Sequence, residues 1–208
     1  LAVHAVREFY AGNLDLAEQM FTFLVENGDH GVMPYLYSGA IKREFGRFEE
    51  ALDSYEKAVE LRKKLEALQL KHGSPALPLF GRDLEGEHVS LSALKGKVVL
   101  LYFFGSFDTD FAKEVKRLNK LYEEYREKGF RILGVSMDRP VAAAKRAAKE
   151  QGIEWPILCD GKGWKSDYLE QYAIFRIPFT MVVDKEGRVQ GIGIEGDQLE
   201  AKIKELLD

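Results

Sequence analysis

The 208-residue sequence predicts an all-α N-terminal domain over residues 1–72, followed over residues 73–208 by an α/β domain with a mixed sheet flanked by helices. Three observations carry that expectation. Residues up to about 70 show helical periodicity and repeat themselves at a shift of about 34 positions. From Ser74 onward, strand-like and helix-like segments alternate. The last two strand-like segments then form an antiparallel hairpin ahead of a closing helix.

The repeat maps Leu1 to Tyr35, Ala5 to Gly39, Gly12 to Gly46 and Leu14 to Phe48, and continues through Ala17 to Ala51, Phe21 to Tyr55 and Leu24 to Ala58. Small residues stand where two antiparallel helices cross closely, a glycine stands in the turn, and an aromatic fills the hole one turn later. A lone hairpin of this kind cannot bury its apolar stripe, so the units must stack. The run Gly46-Arg47-Phe48-Glu49-Glu50-Ala51-Leu52-Asp53-Ser54-Tyr55-Glu56-Lys57-Ala58 resembles the second helix of a tetratricopeptide repeat, and Ala11-Gly12-Asn13-Leu14-Asp15-Leu16-Ala17 resembles the same turn one unit earlier. Glu8 and Lys42 replace the aromatic usual in that family's first helix. Two plain helical hairpins packed as a bundle are the alternative. The final helix is expected to continue through Leu61, Leu65 and Leu68, with Asp53/Lys57 and Glu60/Lys64 at the supportive spacing of four, and to stop at Lys71-His72-Gly73.

In the second domain Asp83-Leu84-Glu85-Gly86-Glu87 reads as a hairpin turn. Lys97 to Phe104 is a continuous apolar run suited to a strand covered on both faces. Phe111, Val115, Leu118, Tyr122 and Tyr125 mark a helix closed by Lys128-Gly129. A strand from Phe130 to Val135, an alanine-rich helix from Ala142 to Gln151, an extended segment from Trp155 to Cys159 and a helix from Ser166 to Tyr172 follow. Met181 to Asp184 and Arg188 to Ile194 flank the turn Lys185-Glu186-Gly187, and Gln198 to Leu207 is an amphipathic helix. The alternation by itself implies a mostly parallel sheet.

Four segments in this order carry a family resemblance: Leu91-Ser92-Ala93-Leu94-Lys95-Gly96-Lys97, Asp160-Gly161-Lys162-Gly163-Trp164, Ile177-Pro178-Phe179-Thr180 and Val183-Asp184-Lys185-Glu186-Gly187. Residues from about 75 to the end resemble the thioredoxin-like redoxins, in particular the membrane-tethered thiol-disulfide oxidoreductases of bacterial envelopes and their peroxiredoxin relatives of the alkyl hydroperoxide reductase and thiol-specific antioxidant superfamily. The resemblance implies a cis peptide before Pro178, beside the active site. It also implies a Cys-x-x-Cys pair at the start of the helix after the first core strand, where helix N–H groups lower one thiol's pKa and the second thiol resolves the mixed disulfide. Here that run is Phe107-Asp108-Thr109-Asp110-Phe111, with Asp108 and Phe111 at the two cysteine positions and Tyr102 at the position of a buried acid. A carboxylate and a benzyl ring cannot exchange sulfur.

The chain has one cysteine, Cys159, which excludes an intrachain disulfide and a two-cysteine redox pair. Its apolar neighbours Ile157 and Leu158 point to an inert, partly buried thiol, and a reactive lone thiol is the alternative reading. Asp108 and Asp110 are expected to cap the helix rather than to bind a cation. His4, His30, His72 and His88 are scattered, so neither a metal nor another cofactor is expected. Trp164, Tyr168 and Tyr172 are expected to pack a helix against the sheet.

Thirty basic against 34 acidic residues leave a net charge of −4, so nucleic acid is not expected as a partner. No apolar run approaches the ~18 residues of a membrane span. The chain opens with Leu1, which reads as a processed or shortened start, and any leader or anchor would lie upstream. The resemblance implies an extracytoplasmic setting. Together these readings predict a redox-inactive interaction module that binds a protein or peptide through the helical hairpins and through a groove bordered by Asp108, Phe111, Ile177 and Pro178. The alternative is thiol-disulfide or peroxide chemistry through Cys159 or a partner's cysteine.

Overall fold

A computed structural model describes residues 2–26, 32–67, 71–172, 174 and 176–208, without the side chains of 2–3, 32–33 and 61–67. Packing divides the chain into two compact units, one of residues 1–69 with 173–176 and the other of residues 70–172 and 177–208.

The first unit contains α1 (Ala2–Tyr10), α2 (Leu14–Glu26), α3 (Val32–Glu44) and α4 (Phe48–Ala67). Its repeat is structural as well as sequential. The amides of Ala11, Gly12, Asn13 and Ala17 donate to the carbonyls of Arg7, Phe9, Glu8 and Asn13, and those of Phe45, Gly46, Arg47 and Ala51 donate to the matching carbonyls of Ile41, Arg43, Lys42 and Arg47. Gly12 (φ +82°) and Gly46 (φ +74°) take the left-handed conformation that ends each first helix. Ala5, Ala17, Phe21 and Ile41 form the buried core of this unit. At the α3–α4 crossing a Cβ on Gly39 would stand 2.7 Å from the Tyr55 ring, so the aromatic fills the space that glycine leaves. Asp53 and Lys57 make the expected pair at 2.8 Å. Leu1, His30 and Leu68 and the side chains of Leu61, Lys64 and Leu65 lie outside the described residues. Gly73 sits in a turn beyond α4, so Lys71-His72-Gly73 is not a helical last turn.

The second unit opens with the hairpin of β1 (Phe80–Arg82) and β2 (His88–Ser90). Asp83 builds its turn by accepting the amides of Glu85 and Glu87 on Oδ1. Then follow β3 (Val98–Phe104), α5 (Phe111–Tyr125), β4 (Phe130–Ser136), α6 (Val141–Glu150), β5 (Ile157–Leu158), α7 (Asp167–Tyr172), β6 (Phe179–Val183), β7 (Val189–Ile192) and α8 (Gly196–Leu207). The sheet order is β5-β4-β3-β6-β7. β3–β4 and β4–β5 are parallel, whereas β3–β6 and β6–β7 are antiparallel. The sheet is therefore evenly mixed rather than mostly parallel, because the last hairpin enters beside the central strand instead of at the rim. The segment from Trp155 to Cys159 pairs through only two residues, as a short edge strand.

All seven residues of β3 are buried, as expected for a central strand. Alternation splits them between faces. Val98, Leu100, Tyr102 and Phe104 join the core made with α5, α6 and α8. Phe103 points the other way and meets Tyr172 of α7 at 5.4 Å between ring centroids.

Candidate functional site

The carboxyl end of β3 runs into Gly105 and the loop to α5, the edge at which open α/β sheets place their sites. A Cβ on Gly105 would lie 2.5 Å from the Phe107 ring and 3.1 Å from Cδ1 of Ile177. The missing side chain thus lets the Phe107 ring fold back beside Ile177. β6 pairs antiparallel with β3, with Phe179 opposite Phe103, so the residues before β6 arrive at the end of β3. The Ile177–Pro178 peptide is cis. Gly105 is buried, Ile177 and Pro178 are half-buried, and Phe107 is 63% exposed.

The five residues from Phe107 to Phe111 divide by role. Asp108 accepts the Asp110 amide on Oδ1 at 2.9 Å, a local turn bond that satisfies one free N–H group ahead of the helix. Asp110 holds the N-cap position but makes no side-chain cap bond, because its backbone is already helical (φ −93°, ψ −2°). Thr109 is exposed beside it. Phe111 is 6% exposed and stacks on Phe104 at 5.2 Å, so its ring joins the core and is not available to border a surface groove as expected. The exposed ring of this run is Phe107, not Phe111.

One buried carboxylate organises this loop, and the sequence patterns did not single it out. Asp138, beyond β4, is 2% exposed. It accepts the Ser106 amide at 3.1 Å, the Ser106 hydroxyl at 2.7 Å and the Ser136 hydroxyl at 2.7 Å. Three donors to one carboxylate offset the cost of burying it. The result ties the residue between Gly105 and Phe107 to the end of β4. The only signal available in sequence was an acidic residue just past an apolar strand, Ser136-Met137-Asp138, at the carboxyl edge. A second cis peptide, Arg139–Pro140, follows it.

Cys159 lies just past β5, two strands and about 10 Å across the sheet from β3. It is half-buried, with Sγ 3.7 Å from the Asp138 carbonyl. Burial pushes its thiol up, only partly opposed by hydrogen bonds from the Gly161 backbone and the Ser136 side chain, while Asp138 and Asp160 add negative field. This environment lowers the thiolate fraction at neutral pH. Of the three aromatics expected to pack a helix on the sheet, Tyr172 does so, while Tyr168 and Trp164 are half-buried. Among the described residues, no group of three His, Cys, Asp or Glu side chains is placed to hold a metal ion.

Residues 63–192 match the model of the AhpC/TSA family. The chain belongs to that family. It is 32% identical over 139 residues to the thiol-disulfide oxidoreductase ResA of Bacillus thuringiensis subsp. konkukian, covering 67% of this chain and 78% of that protein. It is 35% identical over 141 residues to ResA of Bacillus anthracis, covering 66% and 80%. The thioredoxin domain of a thiol-disulfide oxidoreductase from Bacteroides vulgatus superposes with a TM-score of 0.62 at 35% identity, covering 67% of this chain and all of that one. A thiol:disulfide interchange protein from Bacteroides sp. gives 0.60 at 36% identity, covering 66% and 91%. The second unit is thus a thioredoxin-like α/β fold, a mixed sheet flanked by helices, and the first unit is all-α. No helix among the described residues is long and apolar enough to cross a membrane.

Proposed function

We propose that this redoxin-family chain is a binding module that holds a protein or peptide partner without exchanging sulfur at the usual site. One observation carries the reading: the loop and first turn that in the resembling enzymes bear two cysteines hold Asp108 and Phe111, and the ring of Phe111 is built into the core. In this reading an extended segment lies along the surface formed by Phe107, Ile177 and Pro178, with Asp138 bracing the loop that carries Phe107. Residues 73–208 form the redoxin domain of this reading. Residues 1–72 form a tetratricopeptide-like domain, supported by the recurrence of the turn hydrogen bonds at Gly12 and Gly46. An extracytoplasmic setting is part of the same proposal.

The test is catalytic first. Wild type and Cys159→Ser are assayed for dithiol-driven disulfide reduction and for peroxide turnover, and both are expected to stay at the uncatalysed rate. Capture from the native source is then compared between wild type, Phe107→Ala and Pro178→Ala, with weaker retention of a partner expected for both variants. Partner retention that neither substitution alters counts against this surface.

The names of the relatives favour a second reading, thiol-disulfide exchange through Cys159. The Cys159 thiolate would attack a substrate disulfide, forming a mixed disulfide and releasing one substrate thiolate. A partner's thiol would then resolve it, restoring Cys159 and leaving the disulfide on the partner and substrate. Turnover in wild type that Cys159→Ser abolishes establishes this reading and overturns the first.

A further inference from the structure

Among the described residues, a face of α4 stays exposed whose counterpart on α2 is covered. Phe21 of α2 is buried under Tyr37 of α3, the rings stacked at 5.1 Å and 6°. Tyr55 stands in the same register of α4 and packs over Gly39 as Phe21's position requires, yet Tyr55 is only half-buried. Beside it Leu52 is 58% and Val59 51% exposed. Leu52, Tyr55 and Val59 are spaced three and four apart, so they form one stripe. With Glu56 and Glu60 they line a shallow groove of about 420 Å³. A surface helix ordinarily turns such a stripe inward.

What covers the equivalent face of α2 is itself a helix, and the first repeat also shows how charge is matched there. Glu18, the counterpart of Leu52, is paired with Arg47 from the neighbouring hairpin. On α4 the border of the stripe is acidic, with Glu56 and Glu60 in the groove, while the nearby Lys57 is already held by Asp53 at 2.8 Å. The described lining runs from Leu52 to Glu60, about two and a half turns of helix.

We propose that this face of α4 is a docking site for an amphipathic helix of a partner protein, apolar on one side and bordered by Lys or Arg, seated as α3 is on α2. Helix-in-groove recognition of this kind is read through anchors at i, i+3, i+4 and i+7. The site is separate from the surface of Phe107, Ile177 and Pro178 and stands whether or not the chain exchanges sulfur.

The test uses the full chain and a fluorescent peptide of about 14 residues, with leucines at i, i+3, i+4 and i+7 and lysines elsewhere, titrated by anisotropy. Wild type is expected to bind with a Kd of tens of micromolar, and Leu52→Lys/Val59→Glu, which leaves net charge unchanged, at least about tenfold more weakly. A peptide of the same composition with its helical period scrambled is expected to lose a similar factor. Both positions are exposed, and a retained helical melting transition shows that the variant folds. Should it not fold, Leu52→Ala/Val59→Ala replaces it with the same expected direction. Equal affinity for wild type and variant, equal affinity for the two peptides, or no binding up to about 1 mM overturns the proposal. A wild-type dimer in sedimentation velocity that the substitution dissolves also overturns it, since a second copy would then be the occupant.

Discussion

Phe111 shows how one residue can carry two messages. Its identity says that a position which bears a thiol in the resembling enzymes has no sulfur, and this much was legible from Phe107-Asp108-Thr109-Asp110-Phe111 alone. Its direction was not legible. The first residue of a helix can face solvent or core, and the choice falls to Phe104, which offers a ring to stack on at 5.2 Å, with Trp155 edge-on to Phe104 at 6.2 Å. Truncation should therefore cost far more than at an exposed ring. Phe111→Ala is expected to lower stability by about 3–5 kcal/mol in urea unfolding, the range for a buried aromatic. Phe107→Ala, at an exposed ring, is expected to stay within about 0.5 kcal/mol. Similar losses for the two would show that Phe111 is not a core residue.

At the scale of elements, each hairpin of the first unit depends on a crossing that only a small residue permits. Ala5 and Gly39 were legible as partners because both precede a turn glycine by the same distance. The sequence pattern could not say how closely the Tyr55 ring approaches the second crossing. Tyr55 fills it with a larger ring than a crossing alanine would accept, and the Gly39 Cβ position falls 2.7–2.9 Å from three ring atoms. Gly39→Ala is expected to destabilise the helical unit by about 1–3 kcal/mol despite alanine's better helix propensity, because the overpacking outweighs the ~1 kcal/mol propensity gain. Recovery in Gly39→Ala/Tyr55→Leu would assign the loss to that contact, and stabilisation by Gly39→Ala alone would refute the close crossing. The loop after β3 illustrates the opposite case. Its anchor, Asp138, lies 32 positions from Ser106 in the chain, a pairing that no local pattern announces.

At the scale of the whole molecule, two tyrosines, Tyr102 and Tyr172, are each buried to 1% exposure. Tyr102 is pushed above its ordinary value, first by burial and then by the negative field of Glu114, Asp108 and Glu195, and Tyr172 is raised by burial. An unfolded tyrosine ionises near pH 10, whereas these must stay neutral while the chain is folded. Their contribution is intact below about pH 10 and is lost as pH rises toward the raised folded values. Tyr102→Phe is expected to flatten the fall of stability above about pH 10 by up to ~1.4 kcal/mol per pH unit, measured by urea unfolding across that range. An unchanged slope would mean that the phenol is not held neutral.

The residue order alone determined the division into an all-α and an α/β region, the placing of the long helices and the central strand, the recurring turns at Gly12 and Gly46, and the lack of a second thiol. These are readable because they depend on period, on turn chemistry and on residue type, all of which are local. Tertiary structure decided that the sheet is evenly mixed, that Phe111 turns inward while Phe107 stays exposed, that Asp138 braces the loop, and that α4 keeps an apolar stripe exposed among the described residues. Each of these depends on which distant segment arrives alongside, and a one-dimensional pattern records the composition of a face without recording what is packed against it.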